Sequence, residues 1–436
     1  MSTLATQRHT DDLQTAYSYL LSHLSNLGER SALKLKKRFP THQSWLQLSP
    51  SERQEATKTT LGSDPPTVIT TNFDALIERA LTDIRNHERE GIQIVSIDDT
   101  GYPKLLRLID DPPLVLFVKG AIDALSANSN VAVVGTRDAT SAGERVAFKI
   151  AKWLGEHTWC VVSGLAKGID TAAHKGTLDG KFPTAAVMAT PLNKIYPKEN
   201  RKLADEILDH GGCWISEFPL WKKPYRSAFV QRDRIQSGLS VAVIPVQTDI
   251  EGGTMHTVRF AEQQHRLLLC PRPIQPEQSL RQYAGIRQLI ESERAVPFSG
   301  EEYGRVLEFL RDRRAKLLDT PLDNKPIINL SGVVLFSGAG VATEQKSGEG
   351  PMQTNPPRNN RRRLQAGFPF IEDGSNKKRR KPSAKQMELQ VKVLEELRDE
   401  ILEAKRPDGA RLLDPADVKR WLEEKIKILR AKTDKS

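Results

Sequence analysis

From residue 92 to about residue 273, short apolar runs alternate with longer amphipathic stretches. Strands are predicted at 115–118, 131–134, 159–162, 185–188, 213–216, 241–246 and 267–270, where apolar residues run almost unbroken. Between them, 144–155, 170–178, 201–209, 229–238 and 254–264 carry apolar residues at helical spacing. This alternation predicts an α/β fold: a Rossmann-like, mostly parallel sheet with helices on both faces, right-handed crossovers, and ligands at the carboxyl edge. Ahead of it, helices are predicted at 13–27, 32–39 and 73–90, with a break at Gly28; Leu24, Leu27 and Leu33 fit a helical hairpin capping the sheet. After it, 275–318 holds helical segments, and the following stretch is rich in Gly, Pro, Asn, Gln and basic residues. Apolar spacing resumes at Met387, Val391, Leu394, Leu397 and Ile401, and Asp414 can cap a last helix at 415–429. The expected organisation is a small helical domain (1–90), the sheet domain (91–275), a helical extension (276–335), a disordered basic linker (336–385) and C-terminal helices (386–436).

Two of the predicted strands run into glycine turns that open helices. The first turn is Gly135-Thr136-Arg137, and the second is Ser163-Gly164-Leu165-Ala166-Lys167-Gly168-Ile169-Asp170. A helix N-terminus, hydroxyls and cations together make a phosphate cradle, because unpaired N–H groups and positive charge meet there. Alternatively, the same Gly, Ser and Arg residues close ordinary α/β crossovers. No G-x-G-x-x-G follows Val134 and no G-x-x-x-x-G-K-[ST] occurs, so neither a dinucleotide fingerprint nor a Walker loop is present.

Further motifs follow at intervals of one βα unit: Tyr196-Pro197-Lys198-Glu199-Asn200-Arg201, Ser216-Glu217-Phe218-Pro219, and Arg232-Asp233-Arg234-Ile235-Gln236-Ser237-Gly238-Leu239-Ser240. With the two turns, in this order, they resemble the DNA-processing protein A family (DprA, also called Smf) over roughly residues 93–273. The lead-in stretches Gly101-Tyr102-Pro103-Lys104-Leu105-Leu106 and Pro112-Pro113-Leu114-Val115 share that resemblance. It implies single-stranded DNA as ligand, a homodimer, a RecA-type recombinase as partner, an N-terminal domain of the sterile-alpha-motif type, and a role in protecting incoming strands during transformation or recombination. It implies DNA-binding roles for Gly135, Thr136 and Arg137, with Arg137 on phosphate, for Ser163, Gly164, Lys167 and Gly168 at the second turn, for Asn200 and Arg201, which match the family's P-x-x-N-R, and for Arg232 and Arg234. Arg226 matches a basic residue and Phe229 a base-stacking aromatic. Arg232 and Arg234 have a second reading, an internal salt-bridge network with Glu217 or Asp170. The chain departs from the family at Asp233, where the pattern R-N-R-I-I-S-G-L-S has Asn, at Gly252-Gly253-Thr254-Met255-His256-Thr257 in place of G-S-L-x-T, and at Cys270-Pro271-Arg272 in place of V-P-G. The C-terminal winged helix common in the family is not recognisable.

The chain has 436 residues, 38% of them hydrophobic, enough for one substantial core and smaller satellites. Its net charge is +10, but residues 357–385 hold ten Lys or Arg against Glu372 and Asp373, a local +8. Most of the excess therefore sits in one tail, where it serves either as nonspecific DNA affinity or as a solvated linker. No apolar run is long enough to span a bilayer and residues 1–30 lack a signal-peptide pattern, so a cytoplasmic protein without membrane contact is expected. Cys160, Cys213 and Cys270 fall in strand-like runs with no zinc spacing, and are expected to be reduced core thiols; no metal or cofactor is expected.

No catalytic constellation is legible: the nine histidines are scattered, and His174 reads as a packed residue. Two enzyme-like echoes remain. The stretch VITTNFDALIERA (68–80) resembles the TTN[FY]D segment of sirtuin-like NAD-consuming enzymes, although Asn72 also fits a helix N-cap. Glu251-Gly252-Gly253-Thr254 echoes the P-G-G-x-G-T-x-x-E loop of lysine-decarboxylase-like phosphoribohydrolases, without its second Gly-Thr and spaced Glu. A defence or partner-sensing protein on the same sheet is a third alternative to the strand-binding reading.

Overall fold

The computed structural model describes residues 2–24, 27–62, 72–225 and 227–319, with side chains from residue 11 onward. Five helices come first: α1 (Ser2–His23), α2 (Glu29–Arg38), α3 (His42–Leu46), α4 (Pro50–Leu61) and α5 (Phe73–Arg89). Local signals set their ends. Ser49 and Glu52 form a reciprocal capping box before Pro50, and Gly62 closes α4 at φ 71°. Asn72 stands at the N-cap position of α5, but its side chain makes no capping bond. Residues 68–71 of the sirtuin-like stretch lie outside the described residues. The buried stripe Phe73, Ile77 and Ala80 of α5 joins Tyr17 and Leu21 of α1 in one apolar cluster with Ile94, Phe117 and Trp214 of the sheet. The N-terminal helices therefore share the sheet's core.

The rest of the described chain follows a strand–helix order: β1 (Gln93–Ser96), α6 (Lys104–Arg107), β2 (Val115–Gly120), β3 (Asn130–Val134), α7 (Ser141–Glu156), β4 (Cys160–Ser163), α8 (Ile169–Asp179), β5 (Thr184–Val187), α9 (Arg201–Asp209), β6 (Cys213–Ser216), α10 (Ala228–Gly238), β7 (Ala242–Pro245), α11 (Thr254–Gln263), β8 (Leu267–Pro271), α12 (Ala284–Glu291), β9 (Val296–Phe298) and α13 (Tyr303–Leu318). The strands form a nine-stranded sheet in the order β1-β2-β6-β5-β4-β3-β7-β8-β9. From β6 to β9 all neighbours are parallel; β1 and β2 add an antiparallel edge. Strands β3, β4, β5, β6, β7 and β8 are buried at every residue, which is why their sequences run apolar rather than alternating.

Two strands escaped the sequence reading. β1 is four residues long, and β9 is three residues with Pro297 at its centre, too little for a periodicity to show. Because β9 pairs in register with β8 (Leu269 opposite Val296), the segment expected to be a purely helical extension from 276 carries part of the sheet. The three cysteines are buried free thiols. Burial pushes the Cys160 thiol up to about 12. Among the described residues no helix is long and apolar enough to cross a membrane, and no cluster of His, Cys, Asp and Glu is placed to hold a metal.

The chain leaves β3 toward β4 on one side and returns to β7 on the other. At such a switch point the crossovers diverge and leave a crevice over the carboxyl ends of the strands. Both glycine turns open onto it.

Candidate nucleic-acid interface

Gly135, Thr136 and Arg137 leave the end of β3, and Ser163 ends β4 beside it. The turns interlock through their backbones: Ile169 N donates to Thr136 O at 3.3 Å, and Thr136 N donates to Gln247 O at 2.8 Å. Gly168 sits at φ +72°, and a Cβ there would lie 2.5 Å from Thr136 O, so the turn requires glycine on both counts. The fully buried Asp170 carboxylate accepts from Gly164 N and Ala166 N at 3.1 and 3.4 Å. The Gly164, Ala166, Thr136 and Ile169 amides are thus satisfied inside the protein and take no part in the expected backbone cradle. Ser163 is likewise buried and donates to Val133 O at 2.7 Å. Asn200 donates to Leu165 O at 2.8 Å and to Thr171 Oγ1 at 2.9 Å, holding the second turn in place. Ser163 and Asn200 therefore shape the ledge from beneath, while Gly164 lines its cleft.

Anion contact falls instead to side chains. Arg137 is exposed and has no ion-pair or hydrogen-bond partner among the described residues; its guanidinium lies 5.3 Å from the Phe229 ring centroid. On Phe229 also lies Tyr196, edge-on at 5.4 Å and 51% exposed, a site aromatic whose motif position alone does not mark it as one. Lys167 borders the same cleft as Arg137, Tyr196 and Phe229. Its ammonium pairs with Glu199 at 2.7 Å, both side chains more than half exposed, a bond that costs little to exchange for a phosphate. Thr136 is partly exposed at the rim.

The two arginines of α10 are inside. Arg232 Nη1 donates to Gly164 O at 2.8 Å and Val187 O at 2.6 Å, tying two strand ends together. Arg234, 3% exposed, pairs with Glu29 at 3.0 Å, with Asp111 at 3.8 Å and with Glu217. Burial pushes the Glu217 carboxyl up to about 7, more than the shared guanidinium pulls it down. Of the two readings for these arginines, the structure places Arg234 in the internal network with Glu217 and Arg232 on main-chain carbonyls. Helix geometry explains it: five residues past Phe229, Arg234 is rotated about 140° away from it. Arg201 is exposed at the start of α9 and forks onto Asp205 at 3.0 and 3.2 Å. Arg226 lies outside the described residues.

His174 is fully buried with Nδ1 on Thr184 Oγ1 at 2.9 Å, and burial pushes its pKa down to about 3. That ring is neutral packing, as its position in the sequence suggested.

A family model for DNA recombination-mediator protein A matches residues 93–310, half of the chain. Among curated proteins, the DNA processing protein DprA of Bacillus subtilis (strain 168) is 39% identical over 180 residues, 41% of this chain and 60% of that protein. DNA processing protein DprA of Streptococcus pneumoniae is 40% identical over 172 residues, 39% of this chain and 60% of that protein. The chain thus spans about three fifths of the length of these relatives. The X-ray structure of DNA processing protein A from Streptococcus pneumoniae superposes with a TM-score of 0.53 at 29% identity, covering 66% of this chain and 96% of that one. A match that takes in every strand of the sheet whole, from Gln93 to beyond Phe298, makes this chain a member of the DNA recombination-mediator protein A family.

Proposed function

We propose that the protein acts by binding rather than by catalysis, holding single-stranded DNA along the ledge formed by Arg137, Lys167, Tyr196 and Phe229. The observation that carries this reading is the stack at the ledge: a free guanidinium over one aromatic ring, with a second, half-exposed aromatic ring beside it. A single strand needs cations for its phosphates and π-faces for unpaired bases, and stacking contributes about 1–3 kcal/mol per base. A duplex hides its bases and gains nothing from those rings. Family membership supports extending the reading to a recombination mediator that shields incoming strands, works as a homodimer and helps a RecA-type recombinase to load, in a cytoplasmic setting.

The test is a gel shift with single- and double-stranded oligonucleotides of equal length. Wild-type protein retains oligo-dT and releases duplex. Arg137→Ala weakens oligo-dT binding by roughly tenfold, the loss of one phosphate fork, with no change in melting temperature. Equal affinity of folded Arg137→Ala and wild type removes the ledge from the interface.

A further inference from the structure

Behind the ledge, on the other side of Arg137 and Phe229, lies a second and larger hollow of about 470 Å3 at the fork between β3 and β7. Its size falls in the range of small-molecule pockets. Unlike the ledge, it presents an acid: Asp233 of α10 lines it, four residues on from Phe229 and so on the same helix face. The Asp233 side chain is 14% exposed, with Oδ1 in an ion pair with Arg232 Nε at 3.2 Å. Arg232 is its donor at Oδ1, and Oδ2 accepts no hydrogen bond among the described residues. A carboxylate is acceptor-only when ionised, and largely buried it calls for donors. A neutral N–H edge supplies them.

Gln236, one helical turn further on, lines the same hollow; it is 2% exposed, and its Nε2 is buried without a hydrogen-bond partner. The hollow therefore offers one free acceptor oxygen, a second shared with Arg232, and one unsatisfied amide donor, beside the Arg137 and Arg232 side chains that also line it. Both residues depart from the pattern R-N-R-I-I-S-G-L-S, which has Asn and Ile there, so the carboxylate and the second amide are departures from it.

We propose that the hollow receives a guanine base of the bound strand, with Asp233 accepting from its N1–H and 2-amino group. Guanine is the one DNA base with two adjacent donors on its pairing edge, and its O6 is an acceptor that Gln236 satisfies. Thymine presents a single N–H between two carbonyl oxygens, both repelled by the carboxylate, while adenine and cytosine each bring one amino group. A strand on the ledge reaches the hollow by turning one base past Arg137 and Phe229, the wall that both spaces share. The inference rests on the strand-binding reading above.

Fluorescence anisotropy with the full chain separates the two. The probes are an oligo-dT, the same oligo-dT with isolated guanines interspersed, and the latter with inosine in place of guanine. Wild type binds the guanine strand roughly tenfold more tightly than oligo-dT, the discrimination of a bidentate base contact, and inosine, lacking the 2-amino group, forfeits most of that gain. Asp233→Asn binds the guanine strand and oligo-dT alike, with oligo-dT binding no weaker than wild type. Equal wild-type affinity for the guanine and thymine strands overturns the guanine pocket and leaves strand binding standing, as does a guanine preference that survives Asp233→Asn. Failure of wild type to bind any of the three overturns both.

Discussion

Replacing Arg234 with alanine separates the structure's account of this residue from the role the family resemblance gives it. The guanidinium serves three carboxylates of unequal exposure: Glu29 at 48%, Asp111 at 26% and Glu217 at 13%. Once Arg234 is gone, Glu29 rehydrates where it stands and Asp111 does so in part. Glu217 has no such route and takes up a proton instead, since burial already holds its carboxyl near 7 with the guanidinium in place, so the cost falls on that neutralisation, on the lost hydrogen bonds and on the packing of the lost side chain. Breaking a buried pair by removing one partner costs about 3–5 kcal/mol. For a folded unit of this size, at about 2 °C per kcal/mol, that is a melting-temperature fall of roughly 6–10 °C. Differential scanning fluorimetry reads it directly. Removing Glu217 as well removes the buried carboxyl left without its partner, so Arg234→Ala with Glu217→Ala is less destabilised than the sum of the single variants, by roughly 0.5–3 kcal/mol. Below its melting point, Arg234→Ala still binds oligo-dT. A variant that melts like wild type and loses strand binding refutes the argument and returns Arg234 to the interface.

Two other expectations follow from the same region. A Cβ on Gly164 would lie 1.9 Å from Arg232 Nη1 and 2.6 Å from Gln236 Nε2, so Gly164→Ala forces Arg232 off its carbonyl partners and destabilises the protein by about 1–3 kcal/mol, measurable by urea unfolding. Glu217 titrates near 7 in the fold against about 4.5 when unfolded, so between those values the folded state holds the extra proton and stability rises as pH falls. Relative to Glu217→Gln, wild type therefore gains melting temperature on going from pH 8 to pH 5; a constant difference across that range removes Glu217 from the buried network.

Much of the sheet was legible without coordinates. The seven strands predicted from apolar runs are all present, because a strand covered on both faces excludes polar residues and leaves a mark as long as the strand itself. Helices α7 to α11 appear within a few residues of their predicted bounds for the same reason, each having one apolar face to bury. The order of motifs gave the family. What escaped was short or had no period: β1, β9 and the antiparallel edge.

The site divides along a different line. Sequence alone placed Arg137, Lys167 and Phe229 near one sheet edge, since a turn following a parallel strand can go nowhere else. Residue type could not tell which cations face solvent. Arg137 and Arg234 are chemically the same, yet one is open over an aromatic ring and the other is enclosed by three acids that come from positions 29, 111 and 217. That distinction depends on contacts between residues far apart in the chain, made only when α2, the loop before β2 and the end of β6 are brought around α10. Local pattern records which way a side chain points from its own element, and only the packed structure decides what waits for it there.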